Sequence, residues 1–199
     1  MSTTDLRFWD HKQNYSGWVK EGLFQTAILI SLLDNRGDLN LYMSPSEWID
    51  RLISTILDSS TIEWWYSNKF VLGLIAEASP RSYIKFIQND LRKEDSIIKR
   101  LFTPKGVNNL LGPQEDYTHI LFSLQAMLWE EEWLLPISCI LADLSRIEND
   151  SNLYNKPITA LYEAYAIWRP QTYAKTPIRL QALETIGKKY PQQAFDLYF

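Results

Sequence analysis

The sequence predicts an all-α protein, a stack of antiparallel helical hairpins that forms an α-solenoid of the HEAT or TPR type with about nine or ten helices. Apolar residues recur mostly at helical spacing, and the 199 residues include only seven glycines to supply the turns of a β fold. A helix-start signature, Pro-x-x-(Trp/Tyr/Ala)-(Ile/Leu/Phe), recurs with a period of about 35 residues and one double step. Its four copies begin at Pro45, Pro80, Pro157 and Pro191.

The elements follow in chain order from this pattern. Residues 1–18 are predicted to be a lead-in segment and residues 19–199 a single helical repeat domain. The helix predicted over 19–33 is apolar nearly all round, which indicates cover on several sides. The next helix begins at Ser44-Pro45, because Ser44 can cap free amides and Pro45 loses no hydrogen bond at the first helical position.

A third helix is predicted over 61–78 and a fourth from Ser79-Pro80. The third is expected to pack its apolar residues Ile62, Trp65, Tyr66, Phe70 and Leu74. The longest interruption of the helical pattern, at 103–116, is a candidate junction or functional projection. Further helices are predicted over 119–129, 133–147, 157–168 and 177–190, and a last one from residue 191.

Composition narrows the classes of function. A formal net charge of −4 disfavours nucleic acid as the partner. The single cysteine, Cys139, cannot form an intrachain disulfide, which predicts the cytoplasm. The first ten residues lack the basic start and apolar core of a signal peptide, and the longest apolar stretch, 27–33, is too short for a membrane span.

Motifs for chemistry are missing from the sequence. It contains neither of the glycine-rich phosphate-binding patterns, and two histidines with one cysteine give no zinc pattern. We therefore expect no cofactor, no metal and no enzymatic activity.

Three groups of residues are candidates for binding. Trp64 and Trp65 cannot both face one side of a helix, so one of them is expected on a contact surface or under the following hairpin. A basic cluster could face a phosphate or an acidic partner, and it consists of Arg92, Lys93, Lys99, Arg100 and Lys105. The turn after Trp168 could hydrogen-bond to a neighbouring chain. The candidate contact residues are Trp64, Trp65, Arg92, Lys93, Lys99, Arg100, Arg169, Gln171 and Thr172.

Several runs of sequence resemble a known family. They are Glu77-Ala78-Ser79-Pro80, Leu101-Phe102-Thr103, Asn155-Lys156-Pro157 with Leu161, Trp168-Arg169-Pro170-Gln171-Thr172 and Tyr190-Pro191. From Gly22 onward the chain resembles an α-helical repeat region of large, mostly uncharacterised bacterial multidomain proteins, some of which resemble antiphage defence proteins. The resemblance implies a solenoid carried beside nucleotide-binding or effector domains. It carries no catalytic residues, and Asn155-Lys156-Pro157 departs from the usual Asn-Arg-Pro.

The sequence thus predicts a non-enzymatic helical scaffold or sensor domain that binds another protein or a neighbouring domain of a larger chain. Two alternatives stay open at this point. One is an enzyme, or a regulatory piece of one, with a cleft near 103–119 in which Glu115, Asp116 and His119 bind a metal. The other is nucleic-acid binding through the basic cluster.

Overall fold

The computed structural model describes residues 15–35, 44–103, 117–147 and 155–198. Within these ranges every regular element is a helix and no strand occurs, which confirms the all-α class. The chain divides into two compact units, Met1–Lys93 and Glu94–Phe199. Most of the candidate junction at 103–116 and most of the lead-in at 1–18 lie outside the described residues.

The described residues of the first unit form five α-helices and one 3-10 turn, Lys69–Val71. The helices are α1 (Gly17–Asn35), α2 (Pro45–Asp58), α3 (Ile62–Ser67), α4 (Leu72–Ala78) and α5 (Pro80–Asp90). Helix α1 packs against α2 and α4, and α5 packs against the same two helices.

Helix α2 shows how the sequence determines where a helix begins and which of its faces is buried. The Ser44 hydroxyl accepts a hydrogen bond from the Glu47 N–H at 3.4 Å, and Pro45 occupies the first helical position, as predicted. Ile49, Ile53 and Leu57 recur every four residues and are all buried. The core of the first unit therefore lies along this apolar stripe.

The helix predicted over 61–78 is two helices, α3 and α4. The backbone N–H and the side-chain amide of Asn68 both donate to the Trp64 carbonyl, at 3.0 and 2.8 Å, and the Lys69–Val71 turn follows. This interruption rotates the following residues, so Phe70 is exposed and its predicted place in the core is wrong. Ile62 and Trp65, which precede the break, are buried as predicted.

In the second unit, the part of the chain that the structure describes forms six α-helices and one 3-10 turn, Glu131–Trp133. The helices are α6 (Ile97–Phe102), α7 (Thr118–Met127), α8 (Leu134–Ser145), α9 (Pro157–Tyr165), α10 (Thr176–Lys189) and α11 (Pro191–Tyr198). Helix α8 packs against α7, α9 and α10, and α11 packs against α9 and α10. The described residues thus hold eleven α-helices rather than nine or ten, because 61–78 forms two.

Both units use the same scheme of helix packing. In the first unit, the pair α1 and α2 lies against the pair α4 and α5, with α1 on α4 and α2 on α5. In the second unit, the pair α8 and α9 lies against the pair α10 and α11, with α8 on α10 and α9 on α11. The helices that begin at the four signature prolines, α2, α5, α9 and α11, hold equivalent places. The predicted helix starts are confirmed, and a continuous antiparallel solenoid over 19–199 stays a prediction.

Candidate interaction surface

The 166–175 loop joins α9 to α10 and has no regular secondary structure. Helix α9 ends at Tyr165 because Ala166 takes the extended angles φ −52° and ψ 127°. Pro170 follows within the loop and keeps the residue before it out of the helical region. Helix α10 then begins at Thr176, with Pro177 in its first turn.

Three backbone hydrogen bonds fix the second half of this loop. The Gln171 N–H donates to the Glu163 carbonyl at 2.8 Å, and the Tyr173 N–H donates to the Trp129 carbonyl at 3.0 Å. The Lys175 N–H donates to a Glu131 carboxylate oxygen at 3.2 Å. Alternate residues are therefore tied to α9 and to the turn that follows α7, so the loop has a defined backbone path.

Side chains between the hydrogen-bonded residues face inward. Thr172 and Ala174 are buried, and the Thr172 hydroxyl accepts a bond from the Ala174 N–H at 3.1 Å. The Tyr173 ring lies 5.0 Å from the Trp129 ring, centre to centre, with an angle of 53° between the planes. This tilted aromatic contact adds to the hydrogen bonds that hold the loop.

The first half of the loop presents large apolar side chains to solvent. Ile167 is 89% exposed and Trp168 is 88% exposed, next to the exposed Arg169. A tryptophan side chain buries about 150–250 Å² of surface when it is covered, so an exposed tryptophan does not contribute this hydrophobic free energy to folding. Adjacent large apolar residues that are exposed are typical of a surface that a partner covers.

The structure divides the three candidate residues of this turn. Arg169 and Gln171 are exposed, and their side chains are open to a partner. Thr172 is 6% exposed and its hydroxyl is used within the loop, so its prediction as a contact residue is wrong for this conformation. Thr172 instead stabilises the turn that displays its neighbours.

The two adjacent tryptophans also differ. Trp65 is 1% exposed, its ring stacks 5.6 Å from the Phe86 ring, and its indole N–H donates to the Ser60 hydroxyl at 3.0 Å. Its prediction as a surface contact is therefore corrected, since it belongs to the core of the first unit. Trp64 is half-buried and meets Trp65 edge-on at 5.7 Å.

The basic cluster is divided between the two units. Arg92 and Lys93 end the first unit, whereas Lys99 and Arg100 lie on α6, and Lys105 is outside the described residues. The Lys93 ammonium lies 3.5 Å from the Asp90 carboxylate, and the Arg100 guanidinium lies 3.6 Å from the Asp95 carboxylate. These ion pairs reduce the positive charge that the cluster offers to a phosphate.

The residues of the metal hypothesis are mostly outside the described ranges. Only His119 is described, in the first turn of α7, whereas Glu115 and Asp116 are not. Where the structure describes the chain, no three acidic, histidine or cysteine side chains lie close enough together to hold a metal ion. In the same ranges, no helix has the length and apolar character needed to cross a membrane.

Cys139 lies on α8 beside Tyr190 and is half-buried. Burial raises the pKa of its thiol above the ordinary value of 9.0, and the nearby Lys189 only partly opposes this effect. A raised pKa keeps the thiol protonated and unreactive at neutral pH.

The sequence prediction did not include Ile167, Trp168 and Tyr173 among the contact residues. A signal was available, because Ile167-Trp168 directly precedes Arg169-Pro170, where the helix must end. Two large apolar residues at such an end have no following helical turn to cover them.

No family model, no curated protein and no solved structure matches the chain.

Proposed function

We propose that this chain is a non-enzymatic helical scaffold that binds another protein, or a neighbouring domain of a larger chain, through the 166–175 loop. The observation that carries the proposal is the exposure of Ile167 and Trp168 on a loop whose second half is held by hydrogen bonds from three backbone N–H groups. The resemblance to repeat regions of bacterial multidomain proteins supports a neighbouring domain as one form of partner. The lone Cys139 supports the cytoplasm as its setting.

The physical basis is preorganisation. Ordering a flexible loop on binding costs free energy, and the bonds made by Gln171, Tyr173 and Lys175 reduce that cost for the second half of the loop. Tryptophan is enriched at the few interface positions that dominate binding energy. Trp168, with Ile167 beside it, is therefore the expected anchor of the interface.

The charges of the loop define the chemistry of the partner. Residues 166–175 contain no acidic residue, and both of their cations, Arg169 and Lys175, are exposed. Positive charge at the rim of an apolar contact favours a complementary negative rim. The fitting partner is a protein with an apolar pocket bordered by Asp or Glu side chains.

The test compares partner retention by the full chain with retention by a variant that combines Ile167→Ala and Trp168→Ala. Trp48→Ala is the matched control, because Trp48 is also exposed but lies on α2 in the first unit. Partners captured from the native lysate are quantified by mass spectrometry after a moderate salt wash. We expect the double variant to retain at least about tenfold less of a specific protein than the wild type does, and we expect the control to retain it.

Both variants are expected to keep their helical circular dichroism signal, since the replaced side chains are exposed. Equal retention by the double variant and the wild type would contradict the proposal. Equal loss in the double variant and the Trp48 control would contradict it as well, because binding would then not depend on this loop.

A further inference from the structure

Helix α1 has two apolar faces, of which one packs within the first unit. On that face Phe24 and Ala27 are buried. The Lys20 ammonium donates to the Ser67 carbonyl at 3.0 Å, and the Ser31 hydroxyl donates to the Ala78 carbonyl at 3.4 Å. These contacts fix the rotation of α1, and its second apolar face is exposed.

The exposed face carries a stripe with the spacing of a coiled-coil seam. Its positions alternate by three and four residues along the helix, which is the a and d pattern of a heptad. The stripe consists of Val19, Gly22, Thr26, Leu29 and Leu33. Trp18, Leu23 and Leu32 flank it and are also exposed.

No charge interrupts this stripe. Helix α1 has three charged residues, and two of them, Lys20 and Asp34, are bound to Ser67 and to Ser46 of the same unit. The third, Glu21, accepts a hydrogen bond from the Gln25 side chain at 3.1 Å. The Thr26 hydroxyl donates to the Gly22 carbonyl at 2.8 Å, so burying the stripe would leave no polar group unsatisfied.

We propose that this stripe is a homodimer interface in which two copies of α1 pack antiparallel about a two-fold axis at the level of Phe24. Four of the five stripe positions pair with one another in that arrangement, and Leu33 lies beyond the paired part of the helix. Gly22 lies opposite Thr26 of the second copy and Val19 lies opposite its Leu29. Small residues therefore meet at the centre, where a Cβ added at Gly22 would contact nothing within 4 Å, and large residues meet on either side.

The available area agrees with a dimer. The face and its edges expose one aromatic and five aliphatic side chains. They offer on the order of 800 Å² per copy, the share that each partner gives to a standard stable interface. A membrane surface fits less well, because helices that lie on membranes carry several lysines or arginines, whereas α1 carries only Lys20.

Sedimentation equilibrium of the full chain tests the proposal, with Leu29→Glu as the disrupting variant. Leu180→Glu is the matched control, since Leu180 lies on α10 and is 60% exposed, against 59% for Leu29. We expect a dimer for the wild type and the control, and a dissociation constant raised at least about tenfold for Leu29→Glu, because its carboxylate would be buried unpaired. Unchanged circular dichroism would show that the variant is folded.

Disulfide trapping tests the orientation in a chain that also carries Cys139→Ser. An equimolar mixture of Val19→Cys and Leu29→Cys chains is expected to form a mixed disulfide faster than either chain links to itself. Faster self-linking of Val19→Cys would overturn the antiparallel arrangement. A monomeric wild type, or equal weakening by Leu29→Glu and Leu180→Glu, would overturn the interface itself and indicate that another part of the chain or another molecule covers the face. This proposal stands independently of the 166–175 loop.

Discussion

At the scale of single residues, side chains of the same type have opposite roles. Trp65 is enclosed by the first unit, whereas the indole of Trp168 lies in solvent. The distinction comes from their places in the fold, because Trp65 stacks against Phe86 of α5 and Trp168 follows the end of α9. A residue type that favours both cores and interfaces cannot be assigned to either from its identity alone.

Trp65→Ala is expected to lower the free energy of unfolding of the first unit by about 3 to 5 kcal/mol, because it leaves a cavity and removes the bond to Ser60. Phe70→Ala is the control, since Phe70 is exposed and its replacement should cost less than about 1 kcal/mol. Chemical denaturation followed by circular dichroism measures both. A small loss for Trp65→Ala would contradict its place in the core.

Asp34 makes the stability of the first unit depend on pH. The Ser44 hydroxyl, the Ser46 hydroxyl and the Ser46 N–H donate to its carboxylate and hold the pKa below the ordinary value of 3.8. The folded state thus binds this proton more weakly than the unfolded state does. The stabilisation is present above the ordinary pKa and is lost as the pH falls through the lowered one.

We therefore expect Asp34→Asn to lower the melting temperature at pH near 6, with a gap to the wild type that narrows below about pH 4. Asp58→Asn is the control, because Asp58 is exposed at the end of α2. Thermal unfolding across this pH range measures the gap. A gap of constant size at every pH would show that Asp34 acts through something other than its charge.

At the scale of elements, the two units share a distinctive junction between helices. A single residue separates α4 from α5 and α10 from α11, with φ −148° and ψ 79° at Ser79 and φ −133° and ψ 66° at Tyr190. Each of these residues donates its side-chain hydroxyl to an aspartate of the preceding helix pair, Ser79 to Asp50 and Tyr190 to Asp143. At Pro80 and Pro191, two of its four copies, the Pro-x-x signature therefore marks a recurring junction as well as a helix start.

Tyr190→Phe tests the contribution of this junction. The Tyr190 hydroxyl lies 2.9 Å from Oδ2 of Asp143, and burial is the main reason that the pKa of the phenol is raised, so the bond is intact at neutral pH. Removing the hydroxyl should cost the second unit about 1 to 3 kcal/mol, since a carboxylate loses a donor. Tyr162→Phe, at an exposed tyrosine of α9, should cost almost nothing in the same denaturation experiment.

Sequence periodicity predicted most of the helices, but it predicted fewer of the residues in the candidate site. Proline at the first helical position has a local cause, so the four helix starts could be found from sequence. The break at Asn68 depends on a side chain competing for the Trp64 carbonyl, which periodicity does not reveal. The fixed path of the 166–175 loop depends on Glu131, 44 positions from Lys175, and such a contact exists only in the folded chain.

At the scale of the whole molecule, each unit carries an exposed apolar surface among the residues that the structure describes. The first unit has the α1 stripe and the second has the 166–175 loop, in a chain whose net charge of −4 contrasts with the two cations of that loop. Both surfaces lie on helical frames with the same packing scheme. This arrangement suits a scaffold, because the helical pairs supply rigidity and the surfaces supply the contacts.

The most direct test of the proposed function is photo-crosslinking from the loop in the native cell. Trp168 is replaced by p-benzoyl-phenylalanine in the full chain, and Trp48 is replaced in a parallel control. The scaffold account predicts a discrete crosslinked product from position 168 that position 48 does not give. The crosslink joins position 168 either to a second protein or to another domain of the same chain. No crosslink from position 168, or the same diffuse products from both positions, would contradict the claim that a protein covers this surface.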